Sequence, residues 1–227
     1  MALKLYFHPL ASFCHKALIA LYENGTPFEP VVVDLMDEAS SAAFRAVWPM
    51  AKMPVLRDEA RDCTVAESTI AVEYLDAWYP GATRFLPADP DHAWQTRMWD
   101  RFFDGYLQQP MQKIVTDRLR PAGSSDAWGV EQARAQLQEA YAVIEGEIGA
   151  RTWMMGDAFT LADCAAAPAL FYASTVAPFD GTQRKIAAYL DRLMARPSFA
   201  RVLEEAEPYF QFFPMERKPS IARGDER

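Results

Sequence analysis

The sequence is short of the residues that would staple a chain covalently or hold a metal. Its three cysteines, Cys14, Cys63 and Cys164, are odd in number, far apart and include no Cys-x-x-Cys pair, so nothing resembles a disulfide framework. His8, His15 and His92 fall into no ligand spacing such as His-Glu-x-x-His, and no metal is expected. No apolar run approaches ~20 residues, which argues against a membrane span. The opening Met-Ala-Leu-Lys-Leu-Tyr-Phe-His-Pro lacks the charged stretch, apolar run and cleavage site of a signal peptide. Positive charge is also scarce. Against 31 acidic side chains there are 23 basic ones, a formal net charge of −8, with no basic run longer than a pair. A nucleic-acid partner is therefore not expected, and an anionic ligand would have to be held by local groups. A reduced, cytoplasmic setting is the simplest expectation.

What is present is core material: 51% hydrophobic and 13% aromatic residues in 227 positions, which suits two modest domains. Leu3, Leu5 and Phe7 alternate with polar neighbours, predicting a strand that ends at Pro9. Helical spacing follows from Cys14 to Asn24, stopped by Asn24-Gly25. Phe28 to Leu35, with Val31-Val32-Val33, predicts a buried strand parallel to the first through a right-handed βαβ crossover. A short helix is expected over 39–47, then two strands at 55–56 and 63–66 around a polar turn, then a helix over 68–79. Residues 1–81 thus form a small βαβαββα domain, and 82–91, with Pro87 and Pro90, a linker. Residues 92–227 form an all-α bundle with helices near 92–118, 130–149, 160–176, 183–195 and 198–207. A loop is expected at 119–129 and a polar tail at 214–227.

Three junctions carry candidate chemistry. At Pro9-Leu10-Ala11-Ser12-Phe13-Cys14 the first strand meets its helix, whose unsatisfied N–H groups and dipole favour negative charge. A hydroxyl or thiol there could stabilise or become a thiolate, while Ser12 as a plain cap and Cys14 as a plain core residue are the structural readings. At Lys52-Met53-Pro54-Val55 a proline directly precedes a strand. At Ala66-Glu67-Ser68 a strand passes into a helix with Ser68 as the expected N-cap. Its hydroxyl and the helix start suit a carboxylate, and Glu67 suits an ammonium group. Further on, Thr160 and Asp163 form a capping-box variant, with Phe159 and Cys164 placed for a hydrophobic staple.

Together these segments resemble the glutathione transferases, especially the bacterial, serine-using theta, phi and zeta-like classes, from Leu3 to about Phe213. The resemblance implies an α+β thioredoxin-like domain followed by an all-α one, with a cis bond at Pro54. It implies glutathione as co-substrate, a small hydrophobic electrophile to be conjugated, a role in detoxification, and a homodimer. Carried over by position, Ser12 would contact the sulfur and Lys52 the glycine carboxylate. Met53 would pair through its backbone, and Glu67 with Ser68 would hold the γ-glutamyl end. Leu10, Tyr106, Met111, Tyr172 and Phe210 would line the electrophile pocket. The usual catalytic serine falls on Ala11, one place before Ser12, and Cys14 is a further candidate, suited to mixed-disulfide or redox chemistry. Glutathione-dependent isomerisation or reduction, and a non-catalytic binding module, are the alternatives.

Overall fold

A computed structural model describes residues 2–221, so the part of the expected polar tail beyond Ile221 lies outside the described residues. The chain begins with strand β1 (Leu3–Phe7), helix α1 (Ser12–Glu23) and strand β2 (Glu29–Val32), followed by helix α2 (Glu38–Val47), strands β3 (Val55–Asp58) and β4 (Cys63–Ala66), and helix α3 (Ser68–Trp78). The strands form one sheet in the order β2-β1-β3-β4. As the βαβ pattern predicts, β1 and β2 are parallel; β3 runs antiparallel to β1, and β4 to β3.

The expectation of a buried second strand is corrected. β2 is an edge strand, with Glu29, Pro30 and Val32 exposed, and only Val33 just beyond it is buried. An edge also suits Pro30, which has no N–H to give to a further neighbour.

Helix α1 is buried from Cys14 to Leu21, polar positions included. It packs on α3 within the sheet half and against two helices of the other half, α7 (Leu161–Val176) and α9 (Pro197–Ala206). Burial on every side explains why its apolar residues outrun a single stripe.

Residues 79–89 form no regular element but are pinned. Phe85 is fully buried, its N–H donates to Asp76 Oδ1 at 3.0 Å, and its carbonyl accepts from Leu161 N–H at 2.9 Å. The helix expected over 92–118 is one rod in three parts: α4 (Pro90–Phe102), a π-helical turn at Phe103–Gln108, and α5 (Gln109–Asp117). α6 (Ala127–Ile148) starts earlier than its apolar stripe suggests, because Asp126 caps it, accepting from Gly129 N–H at 2.8 Å. α8 (Arg184–Ala195), α9 and a 3-10 turn (Glu207–Phe212) complete the helical half. The capping box at Thr160 and Asp163 is formed, and Phe159 and Cys164 are both buried.

Glu23, at the end of α1, ties the halves together. It accepts from Arg196 Nε at 2.9 Å, Ser198 Oγ at 2.7 Å and Thr83 Oγ1 at 3.0 Å. Burial opposes its charge, yet these donors more than offset that, and its pKa lies below the ordinary 4.5. A depressed carboxyl stabilises the fold above the unfolded value and loses that contribution as pH falls through the folded one. Glu23→Gln should therefore lower unfolding free energy by about 1–2 kcal/mol at pH 7. In urea melts the gap should close as the pH drops below about 4.5; a gap of constant size would refute the charged clasp.

Candidate functional site

Tyr6 of β1 lies opposite Val55 of β3, and Val55 lies opposite Ala66 of β4. With neighbouring strands roughly 4.8 Å apart, this row spans about 10 Å. β1 leaves it toward α1, β3 enters it from Pro54, and β4 leaves it into Glu67. The three junctions singled out in the sequence therefore open at one end of the sheet.

At the first junction the N-cap of α1 is Ala11, which offers no side-chain acceptor, and the first turn holds no acidic residue. The helix start is thus left for an anion. The loop is held by His8, whose carbonyl accepts from Ala11 N–H at 2.9 Å and whose Nδ1 accepts from Leu10 N–H at 3.2 Å. Ser12 is the first helical residue, and its hydroxyl accepts a hydrogen bond from the Gln108 side-chain amide. Cys14 is fully buried, and that burial pushes its thiol up to about 12. Cys14 is therefore closed off as an accessible thiolate at this junction. His15 donates from Nε2 to the Pro9 carbonyl at 2.6 Å, and burial lowers its pKa to about 4, so its ring is neutral.

At the second junction the Met53–Pro54 bond is cis, as the resemblance implies. The ladder begins only at Val55, so the Met53 backbone stands outside the sheet's hydrogen bonds. Lys52 is exposed, Met53 half-buried and Pro54 buried.

The third junction corrects the capping expectation. Glu67, not Ser68, is the N-cap of α3, at φ 71° and ψ 124°, while Ser68 is the first helical residue and is buried. A left-handed φ is strained for a residue with a side chain, and such strain persists where the surroundings enforce it. Here the strain leaves the Glu67 carboxylate exposed, with no capping bond to its own helix.

Behind these junctions lies a buried ionic cluster that sequence reasoning missed. Lys16 is 1% exposed, and its Nζ reaches Thr69 Oγ1 at 2.8 Å, Asp104 Oδ2 at 2.9 Å and the carboxylate of Asp100. Arg101 donates to Asp100 Oδ2 at 2.8 Å and to Asp104 Oδ2 at 3.1 Å, and it also feels the charge of Glu67. A lysine inside the apolar run Cys14–Leu21 was the available signal.

The five expected pocket residues separate. Leu10 is half-buried beside the α1 start, and Tyr106 is 54% exposed on the π turn. Met111, Tyr172 and Phe210 are closed within the core, with Tyr172 stacked on Phe213 at 5.7 Å, so they form no open wall. Among the described residues no side-chain cluster suits a metal ion, and no helix is long and apolar enough to cross a membrane.

Comparison with known proteins bears on this arrangement directly. Residues 5–83 match the glutathione S-transferase N-terminal domain family, and residues 106–197 match the glutathione S-transferase C-terminal domain family. Glutathione S-transferase 3 of Zea mays is 31% identical over 209 residues, covering 88% of this chain and 93% of its own. The glutathione S-transferase-like protein LUC7 of a Fusarium species is 31% identical over 158 residues, covering 70% of this chain and 71% of its own. A Methylobacterium radiotolerans glutathione S-transferase, solved in complex with glutathione sulfonate, superposes with a TM-score of 0.76 at 30% identity. The alignment covers 88% of this chain and 93% of that one. With both halves matched in order and the three junctions gathered on one strand row, the chain belongs to the glutathione S-transferase family.

Proposed function

We propose that the protein binds glutathione across the three junctions and conjugates its thiolate to a small hydrophobic electrophile. The observation that carries this is the single row Tyr6–Val55–Ala66, from which a free helix start, a cis-proline turn and an outward carboxylate all emerge. Glutathione has parts that match these groups. Its γ-glutamyl ammonium suits Glu67, and its γ-glutamyl carboxylate suits Ser68 at the start of α3. The cysteinyl amide pairs with the Met53 backbone beside Pro54, and the glycine carboxylate takes Lys52. The sulfur then faces the start of α1, where the Ser12 and Phe13 N–H groups and the Ser12 hydroxyl stabilise the thiolate. Leu10, half-buried in the loop that leads into α1, and Tyr106, exposed on the π turn, are the electrophile contacts this reading keeps. A homodimer accompanies this reading; Trp94, Met98 and Val143, exposed around a cleft of about 520 Å³ between α4 and α6, offer it an apolar face.

Calorimetry with glutathione tests the binding grip. Lys52→Met and Glu67→Ala should each weaken binding at least tenfold, as expected for loss of one charge-assisted hydrogen bond. Lys185→Met, on the exposed side of α8, should leave binding unchanged. Absence of both heat and thermal shift at millimolar glutathione would favour a non-catalytic module instead. Ala11 at the cap is the specific feature on that module's side. Glutathione-dependent reduction is the weaker alternative, since Cys14 is sealed in the core.

A further inference from the structure

The contact between Ser12 and Gln108 joins residues far apart in sequence and from opposite halves, and both are nearly closed to solvent, at 5% and 2% exposure. The Gln108 amide N–H donates and the Ser12 oxygen accepts, which leaves the serine's own proton to be given elsewhere. No acceptor among the described residues takes that proton. The remaining oxygen of the Gln108 amide likewise has no partner. One donor and one acceptor are therefore left over, side by side, at the helix start where the sulfur is expected.

The backbone shows how Gln108 comes to be there. Asp100, Asp104 and Gln108 recur every fourth residue, a spacing that drifts around an ordinary α-helix. The wider π turn at Phe103–Gln108 offsets that drift, and Asp104 and Gln108 both reach α1. On α1 the partners Lys16 and Ser12 are four residues apart in the opposite sense. Lys16 takes Asp104 and Ser12 takes Gln108.

We propose that Gln108 is a positioning residue for the sulfur, fixing the Ser12 hydroxyl rotor so that its proton points to the glutathione thiolate. This rests on the glutathione reading above. On binding, the thiol proton leaves to solvent, and the thiolate then accepts hydrogen bonds from the Ser12 hydroxyl and the backbone. No proton passes through Gln108, which acts by orientation and by polarising the hydroxyl it donates to. The charged groups nearby, Lys16, Asp100, Arg101, Asp104 and Glu67, stay the same in every variant below and cancel from the comparison.

The test is the pKa of the bound glutathione thiol, read from thiolate ultraviolet absorbance against pH, together with kcat/KM toward a small aryl halide. Gln108→Leu should raise the thiol pKa by about one unit and lower kcat/KM about tenfold below that pKa, the worth of one hydrogen bond to a charged group. Ser12→Ala should do the same, and the double variant should do no more than Ser12→Ala alone. Gln108→Met keeps a similar volume without the amide and adds no charge, so it should match the leucine effect. It also carries the readout should the leucine variant lose its fold. S-methylglutathione should bind all variants equally, because it makes every contact except the thiolate's. An unchanged thiol pKa in both Gln108 variants, or additive effects in the double variant, would overturn the proposal. Failure of S-methylglutathione to bind the unaltered protein would instead remove the glutathione reading, and this inference with it.

Discussion

Replacing Lys16 with methionine should lower unfolding free energy by roughly 3–5 kcal/mol, the cost of removing one partner from a buried ion cluster. Its ammonium is 1% exposed and sits against Asp100, Asp104 and Thr69. Methionine fills a similar volume, so packing is nearly kept and the loss is electrostatic. Asp100 at 0% and Asp104 at 14% side-chain exposure would be left facing each other with Arg101 as their neighbouring cation. The direction with pH follows from Asp104, whose pKa burial already pushes above the ordinary value, against the pull of Lys16. A carboxyl raised in the folded state favours the fold at low pH and loses that favour as pH rises through its folded value. Without Lys16 the rise grows, so the gap between variant and parent should narrow on acidification from neutrality. Guanidinium melts at pH 7 and pH 5 would measure this. A loss under 1 kcal/mol, or a gap that widens at pH 5, would show that the cluster is compensated elsewhere.

Truncating Asp163 to alanine should cost about 4 kcal/mol, because four buried donors lose their acceptor together. The carboxylate accepts from Met154 N–H at 2.8 Å, Thr160 N–H at 2.9 Å, Thr160 Oγ1 at 3.1 Å and Tyr189 Oη at 2.5 Å. It thereby closes the capping box of α7 and ties α8 to the loop before it. Burial pushes its carboxyl up, so the hydrogen bonds, more than free charge, define its role. Asp163→Asn retains one oxygen and should recover part of the loss, whereas Thr160→Ala should cost only about 1–2 kcal/mol as a lone cap deletion. Thermal and denaturant unfolding would rank the three. Equal losses for Asp163→Ala and Thr160→Ala would mean that the Tyr189 and Met154 bonds contribute nothing.

Local rules made most of the framework legible. Alternation at Leu3–Phe7, the Asn24-Gly25 stop, the proline before Val55 and the Thr-x-x-Asp box each encode geometry within a few residues, and each appears as expected. What was not legible depended on partners distant in sequence. β2 looked like a buried strand because its valines cannot reveal that no fifth strand covers it. Met111, Tyr172 and Phe210 looked like pocket walls because helical periodicity gives the inner face but not whether that face meets a core or a cleft. Ser68 looked like a cap, whereas the chain turns one residue earlier through the strained Glu67. Lys16 and Gln108 meet partners in the other half of the molecule, and no short motif marks such pairs.

The burial of α1 has a consequence for how the protein can be made and divided. Its first eighty residues outline a complete small sheet-and-helix unit, yet the helix at its centre carries an ammonium group paired with Asp100 of α4 and Asp104 of the π turn, and a wide apolar surface covered by α7 and α9. During synthesis that helix leaves the ribosome long before those covers exist. A fragment ending near Gly81 would expose both, inviting association with itself or with chaperones. The sheet half is a recognisable unit of sequence, and exchanging helical halves between relatives should keep stability only where the α1-facing residues travel with them.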